Sequence, residues 1–471
     1  MKTSLYCFSL IAMLYTGSVH GQGVKEKIAS AYQTFAHDGR LRNGIAAFTV
    51  LDGKTGAVIF SDNASLGLPT ASTMKVITSI TVLDILGPEY RFKTQLAYAG
   101  TVDSLGVLHG DLLISGSGDP TLGSDRYPDA TEAAVMNKWI AAVRQAGISH
   151  VNGRIVGDDL HFNGNDIPGG WSWNDMGNYY GAGISGLNWR ENKAGITFSP
   201  GNVGQPASIV KISSPLEGIT LVNEVTTGAD GTGDNVYAYA APYSQVIYVR
   251  GTYGRDLKKT IEISVPDPAM DLAQQFTAAL HNQGIAVDSL PTTGRRLRNQ
   301  GQRLSPPNKV LATHQSPPLR DIVYWFNQKS INLYGEALLK TFGLVSGNKP
   351  GTGEAAQLIT KYWEQKLKIQ GSELKIIDGS GLSPQNRVTT AAMSGIMHYA
   401  QSRPWFADFE KSLPTINGMS MKSGTIGGVL GYTGYHQGKS GQVTFSLLVN
   451  NYTGSSSSMR QAMFKLLDSL K

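Results

Sequence analysis

Three short runs in this sequence hold nucleophilic, cationic and amide side chains at spacings that can do chemistry together. In the first, PTASTMKVITSITVLDIL, Ser72 and Lys75 stand three residues apart, so a helix begun at Ser72 carries both on one side. A serine at a helix N-terminus feels the positive pole and free backbone N–H groups, which favours an oxyanion beside its own amide. A serine hydroxyl attacks poorly at neutral pH unless a neighbour takes its proton, and a buried lysine of lowered pKa can do so. The plain alternative makes Ser72 a helix cap and Lys75 a solvent-facing residue, and S-x-x-K alone does not choose between them.

In the second run, NQKSINLYGE, Ser330 and Asn332 flank one residue where a helix is expected to begin. The serine can relay a proton, and the asparagine can hold a substrate carbonyl or the lysine; a simple capping serine is the competing reading. The third run is Lys422-Ser423-Gly424-Thr425. There Lys422 on a strand offers a cation and Ser423 a hydroxyl. Gly424 is expected to clear space where a substrate backbone approaches, and the Thr425 N–H to be a second oxyanion donor. A cation and hydroxyls beside a nucleophile suit a substrate that ends in a free carboxylate. In combination the runs specify an active-serine acyl transferase. Ser72 attacks a carbonyl as Lys75 takes its proton, Ser330 and Lys422 help protonate the leaving amine, and water releases the acyl enzyme. The group that activates this water stays open.

The elements that must hold these residues can be read coarsely. Helices are expected at 24–37, 72–86, 130–146, 269–283, 318–326, 330–343, 353–368, 389–400 and 456–470. Strands are expected within 44–60, in 154–162, 207–223, 236–252, 309–313, 421–428 and 442–450, and in short pieces from about 93 onward. The opening and closing segments share a texture of helices and apolar strands, which suggests a split sheet whose two ends pair. The expected domains are a catalytic part over 22–92, an inserted accessory region over 93–304, and a second catalytic part over 305–471. The helix SMRQAMFKLLDSL is expected to pack on the sheet rather than on a membrane.

The 471 residues carry a net charge of +6, with 16% charged and 41% hydrophobic, which excludes a disordered tail or a small stapled scaffold. Residues 1–21 read as a signal peptide cut before Gln22: Lys2, an apolar stretch over 5–15, then small residues. The one cysteine, Cys7, lies inside that segment, so the mature chain would have no thiol nucleophile, iron–sulfur centre or cysteine-bound zinc. No later run is apolar enough to span a membrane, so an exported protein, periplasmic or associated with the cell envelope, is expected. Arg295, Arg296, Arg298 and Arg303 cluster within 291–308, which reads as a solvated linker as readily as a phosphate patch. Without a recognition helix or zinc spacing beside it, no nucleic-acid partner is expected. The nine histidines show no H-E-x-x-H spacing, so neither a metal nor another cofactor is expected.

With these motifs in this order, the chain resembles the D-alanyl-D-alanine carboxypeptidase/endopeptidase family of low-molecular-mass class C penicillin-binding proteins. The resemblance covers essentially the mature chain. Gly110-Asp111-Leu112, Gly118-Asp119-Pro120, Gly157-Asp158-Asp159 with Phe162, and Trp171, Asp175, Tyr180-Gly181-Ala182 and Ser185 fit it in the insert. Asn327 and Asp378-Gly379-Ser380-Gly381-Leu382 fit it later. Most of these glycines and aspartates read from the residues alone as turn formers, though Asp378 could organise the edge of a cleft. One departure is Ser423, where many relatives carry threonine; the hydroxyl is kept.

The resemblance implies an α/β fold of α+β type: a serine beta-lactamase/transpeptidase-like domain, an antiparallel sheet flanked by helices, with a large, mostly β insert. It implies cleavage of the terminal D-alanine of peptidoglycan stem peptides, in some relatives cleavage of cross-bridges, and acylation by beta-lactams. A serine beta-lactamase or esterase on the same fold, and a non-catalytic wall-binding protein, are the competing readings.

Overall fold

The strand Ile45–Asp52 near the start of the chain and the strand Gly441–Asn450 near its end lie side by side, antiparallel, from Ile45 opposite Asn450 to Asp52 opposite Val443. The computed structural model describes residues 11–162, 166–439 and 441–471, with side chains from Gly23 onward. Both strands are buried on both faces, which explains why they read as near-continuous apolar runs. The expected leader falls partly on residues 1–10, outside the described residues, and partly on the helix Ile11–Ala36. Among the described residues no helix is long and apolar enough to cross a membrane.

Two compact units emerge. The first comprises 1–85, 323–330 and 356–471, and the second 86–322 and 331–355. The sequence put the cuts at 92/93 and 304/305. The second unit reaches further because Lys309–Gln315 pairs antiparallel with Lys93–Val102 and so completes that unit's sheet.

The first unit is built on six antiparallel strands in the order Thr415–Ile416, Met419–Ile426, Val429–Gly438, Gly441–Asn450, Ile45–Asp52, Val58–Asp62. One face carries Phe48, Val50, Phe445 and Leu447 against Ile28, Tyr32 and Phe35 of the first helix. Met459, Met463 and Leu467 of the helix Ser456–Leu467 complete that core, so the C-terminal helix does pack on the sheet. The opposite face is partly polar, and the helix Thr390–Ala400 meets it through a Thr49–Thr390 hydroxyl pair at 2.8 Å and a bond from Ser446 to the Met393 sulfur.

The Val429–Gly438 strand was not expected, because glycine is depleted in strands. Here close packing requires it. A Cβ on Gly434 would lie 2.2 Å from the Ser420 carbonyl oxygen, and one on Gly431 would lie 2.8 Å from the Leu448 side chain.

The second unit holds a seven-stranded mixed sheet, including Lys93–Val102 and Val107–Ser115, covered by the helices Glu132–Gln145 and Pro268–Asn282. Trp139 and Phe276 meet edge to face in that core. It also holds two three-stranded sheets: Thr220–Gly228 with Asp234–Tyr239 and Val246–Gly254, and Lys193–Ser199 with Ser208–Ile212 and Ile261–Ser264. Ile196, Phe198, Val236, Ile247 and Val249 join them in a separate core. The stretches 207–223 and 236–252, expected to be strand-like, each span parts of two strands divided by a turn.

The basic segment is a solvated linker only beyond Asn299, where Arg303 is exposed. Gly294–Asn299 is a helix, Arg295 and Arg296 pair with Asp267 at 3.2 and 3.1 Å, and the Arg295 guanidinium stacks on the Tyr243 ring.

Candidate active site

The nucleophile candidate sits on a tight turn rather than in the helix proper. Ala71–Thr73 form one turn of 3-10 helix that runs into the α-helix Met74–Leu86. The Thr73 hydroxyl closes the turn by donating to the Thr70 carbonyl oxygen at 2.7 Å. Ala71 has φ +45°, a left-handed conformation that strains an alanine and persists only where surroundings enforce it. Here Gly381, itself at φ +80°, presses against it so closely that a Cβ would lie 1.9 Å from the Ala71 carbonyl oxygen.

The helix behind the turn is buried from Met74 to Leu83, and its polar side chains find partners inside the unit. The Thr78 hydroxyl donates to the Gly379 carbonyl oxygen, Trp363 donates through its indole to Thr81, and the Asn327 amide donates to Ser79. That framework holds the residue pair read from the sequence: Lys75 Nζ lies 3.0 Å from Ser72 Oγ, with Lys75 fully buried. The same nitrogen donates to the Ser380 carbonyl oxygen at 2.7 Å and lies 5.6 Å from the centre of the Phe326 ring. A neutral amine in this position can donate to Ser380 while its lone pair accepts the Ser72 proton. The solvent-facing reading of Lys75 is therefore excluded.

Ser380 is presented by a loop wound around Asp378. The buried carboxylate accepts from the backbone N–H groups of Gly381 and Ser383 at 2.7 and 2.6 Å, and from the Asn386 amide at 2.9 Å. Asp378 thus forms a turn, as expected, and that turn also delivers the carbonyl that holds Lys75.

Lys422 and Gly424 share one face of the strand Met419–Ile426. Gly424 was expected to make room for a substrate backbone. What occupies that room is the turn that carries Ser72: a Cβ there would lie 2.7 Å from the Thr70 carbonyl oxygen and 2.9 Å from the backbone nitrogens of Ser72 and Thr73. Lys422 is 2% exposed, and its ammonium has one hydrogen-bond partner among the described residues, the Ser423 carbonyl oxygen at 2.9 Å. Burial pushes its pKa down to about 7. Ser423 is half-buried, while the exposed Thr425 accepts a hydrogen bond from Arg460 through its hydroxyl. Thr415–Ile416 pairs only with Met419 and Ser420, so among the described residues the strand's outer edge from Lys422 to Ile426 has no strand neighbour.

Ser330 and Asn332 lie in the link between the helices Leu319–Gln328 and Asn332–Gly347. Ser330 takes φ +56°, and its hydroxyl makes no hydrogen bond among the described residues. It closes a segment of the first unit, whereas Asn332 lies in the segment of the second that begins at Ile331. Within that second unit the Asn332 amide donates to the Tyr180 carbonyl oxygen at 2.8 Å. Ser72, Lys75 and Gly424 are thus brought into contact and Lys422 onto the same strand face, while Ser330 makes no hydrogen bond with Ser72, Lys75 or Lys422. Sequence reasoning missed the Ser380 carbonyl and the Phe326 ring; a backbone acceptor leaves no side-chain signature.

Comparison with known proteins establishes the family and the fold. The chain is 26% identical over 445 residues to a D-alanyl-D-alanine carboxypeptidase of Actinomadura sp. (strain R39), covering 88% of this chain and 80% of that protein. It is 24% identical over 425 residues to the D-alanyl-D-alanine carboxypeptidase DacB of Haemophilus influenzae, covering 84% and 83%. The crystal structure of penicillin binding protein 4 (dacB) from Haemophilus influenzae shares the fold, with TM-score 0.76 at 22% identity over 93% of this chain and 97% of that one. The profile of the D-Ala-D-Ala carboxypeptidase 3 (S13) family matches residues 28–470, and the chain belongs to that family.

Proposed function

We propose that this protein is a serine-type D-Ala-D-Ala carboxypeptidase that removes the terminal D-alanine of peptidoglycan stem peptides through an acyl enzyme on Ser72, with endopeptidase action on cross-bridges and acylation by beta-lactams. The observation that carries the reading is the 3.0 Å contact between Ser72 Oγ and the buried Lys75 Nζ. Lys75 takes the hydroxyl proton as Ser72 attacks the carbonyl carbon of the penultimate residue. The oxyanion forms beside the Ser72 N–H and the Thr425 N–H, two donors close together because Gly424 lets the strand lie flush against the turn. The unpaired strand edge suits an extended peptide laid alongside it. Lys422, buried with no acidic partner among the described residues, suits the free carboxylate of the terminal D-alanine, with Ser423 and Thr425 nearby on the same strand. Ser330 and Lys422 pass a proton to the departing amine, Asn332 orients the substrate, and water then hydrolyses the ester.

Its substrate lies outside the cytoplasm. An exported enzyme, periplasmic or associated with the cell envelope, follows from that substrate together with the leader read over 1–21. The test is intact mass after incubation with benzylpenicillin, followed by peptide mapping. A single adduct on Ser72 that is absent from Ser72→Ala is expected. An adduct persisting in Ser72→Ala would refute the nucleophile, and rapid destruction of penicillin without an adduct would favour the beta-lactamase reading.

A further inference from the structure

Among the described residues, every tyrosine, tryptophan or phenylalanine with a markedly exposed side chain lies in one part of the second unit: Trp173, Tyr179, Tyr237 and Tyr248, at 54, 50, 45 and 39% exposure. Aromatic rings left in water and gathered together ask for a ligand, whereas scattered ones would not. Their placement follows from strand alternation. In Asp234–Tyr239 and Val246–Gly254 the residues Val236, Ala238, Ile247 and Val249 point into the core. The alternate positions put Tyr237 opposite Arg250 and Tyr239 opposite Tyr248 on the outward face.

This face is held in shape. The Arg250 guanidinium lies over both tyrosines, 5.1 Å from the Tyr248 ring centre and 6.0 Å from that of Tyr239, and it pairs with Glu224 of the neighbouring strand. Trp173 lies 6.2 Å from Tyr239 and extends the row. Rings fixed in this way lose little freedom when a ligand lands on them.

We propose that this face binds the glycan strand of peptidoglycan, a chain of linked N-acetylated amino sugars. Each sugar ring has an apolar C–H face that stacks on an aromatic ring and a polar rim that needs donors and acceptors. The outward face supplies both: rings from Trp173, Tyr237, Tyr239 and Tyr248, and charged hydrogen-bonding groups from Arg250 and Glu224 among them. An obligate protein interface would instead be expected to show a dry aliphatic centre depleted of charge.

The row also continues, within the second unit, toward Asn332. Tyr179, one of the exposed rings, packs edge to face on Tyr180 at 5.4 Å, and the Tyr180 carbonyl oxygen holds the Asn332 amide. The proposal rests on the carboxypeptidase reading in this respect: a stem peptide engaged at Asn332 is attached to a glycan that must lie within its reach.

The test uses the full chain with sacculi stripped of peptide by an amidase, and with N-acetylglucosamine hexamer in solution. Wild type is expected to pellet with stripped sacculi, and Y239A/Y248A to lose at least tenfold in affinity for both probes, with Y239F/Y248F staying within threefold of wild type. All three are expected to acylate with benzylpenicillin at the same rate. Trp173→Ala, on a separate short helix, tests the same surface should the double alanine variant fold poorly. Wild type that ignores stripped glycan, or alanine variants that bind it unchanged, would overturn the proposal. So would a face whose alanine substitutions only dissociate a dimer. Glycan binding that survives in a protein giving no adduct on Ser72 would instead refute the serine reading and leave this one standing.

Discussion

Gly424 and Ser72 touch backbone to backbone: a methyl group on the glycine would sit 2.9 Å from the Ser72 amide nitrogen. The nucleophile turn and the Lys422 strand are therefore set against each other by the absence of one side chain. Gly424→Ala must push the turn away, since the atoms it meets are main chain and cannot swing aside. Displacement on the ångström scale is expected to slow acylation by benzylpenicillin about 100-fold, with a stability loss of about 1–3 kcal/mol. Gly395→Ala is the control. It lies in the helix Thr390–Ala400 with nothing within 4 Å of its new methyl, and should leave acylation unchanged while raising stability by about 0.5–1 kcal/mol. Equal acylation by Gly424→Ala and wild type would show that the contact does not set the nucleophile's position.

Asp378 acts on the site at one remove. Its carboxylate accepts from Gly381, Ser383 and Asn386, and the loop so wound carries the Ser380 carbonyl that holds Lys75. Asp378→Asn turns one acceptor into a donor facing an N–H, which should cost about 1–3 kcal/mol of stability. If the loop positions Lys75, acylation should also slow about tenfold at a temperature where the variant is fully folded, a slowing of about 1.4 kcal/mol in barrier. A variant that melts earlier yet acylates at the wild-type rate would reduce Asp378 to a structural role.

The contact between Ser72 and Lys75 could be read from the sequence because its information is local: three residues on a helical turn suffice to bring Lys75 to Ser72. The pairing of the chain's two ends was legible too, since Ile45–Asp52 and Gly441–Asn450 each carry a dense set of apolar residues and are buried on both faces. The strand Val429–Gly438 was not. Its glycines answer to Ser420, Leu448 and Met421, contacts fixed only once the sheet exists. The partners of Lys75 hid for a similar reason, because a carbonyl at Ser380 is the same atom whatever residue bears it. Gly424 was misread because closeness of backbone could be inferred there, but not whose backbone it would be.

In the second unit, Glu191 is a buried hub. Its carboxylate accepts from Arg126, Ser124 and Tyr334, each at 2.8 Å, and pairs with Lys193 at 3.3 Å. Burial pushes its pKa up, but Lys193 and Arg126, with the two hydroxyls, outweigh that and hold the carboxyl below its ordinary range. Glu191→Gln withdraws a carboxylate from two half-buried cations, of which Lys193 keeps Glu262 at 2.9 Å, and should cost about 1–3 kcal/mol near neutral pH. Because the folded pKa is the lower one, the wild-type advantage is fully present above the unfolded value near 4.5 and is lost as pH falls through the folded value. Thermal unfolding of both proteins between pH 3 and 7 checks this. A difference that does not shrink toward acid would show that shape, rather than charge, makes the residue necessary.

Lys422 carries the opposite linkage, and with it a pH-dependent affinity. Its folded pKa of about 7 lies below the ordinary value of 10.5, so between those pH values the unfolded chain binds more protons than the native one. Stability therefore rises with pH across that window, and below pH 7 the penalty of a buried, unpaired cation is present in full. Lys422→Met removes the penalty and should be more stable than wild type by about 2–4 kcal/mol at pH 6, with the advantage fading toward pH 10. The same change should slow acylation by benzylpenicillin, which bears a carboxylate, by about 100-fold or more, through a loss of about 3 kcal/mol. In wild type the apparent affinity for carboxylate-bearing substrates should weaken as pH rises through about 7 in the free enzyme, because the neutral amine no longer attracts the anion. Lys422→Arg keeps a charge that does not titrate in this range, so its affinity should stay flat from pH 6 to 9. A wild-type profile equally flat over that range, together with Lys422→Met binding carboxylate-bearing substrates as tightly as wild type, would overturn the assignment of the carboxylate to Lys422.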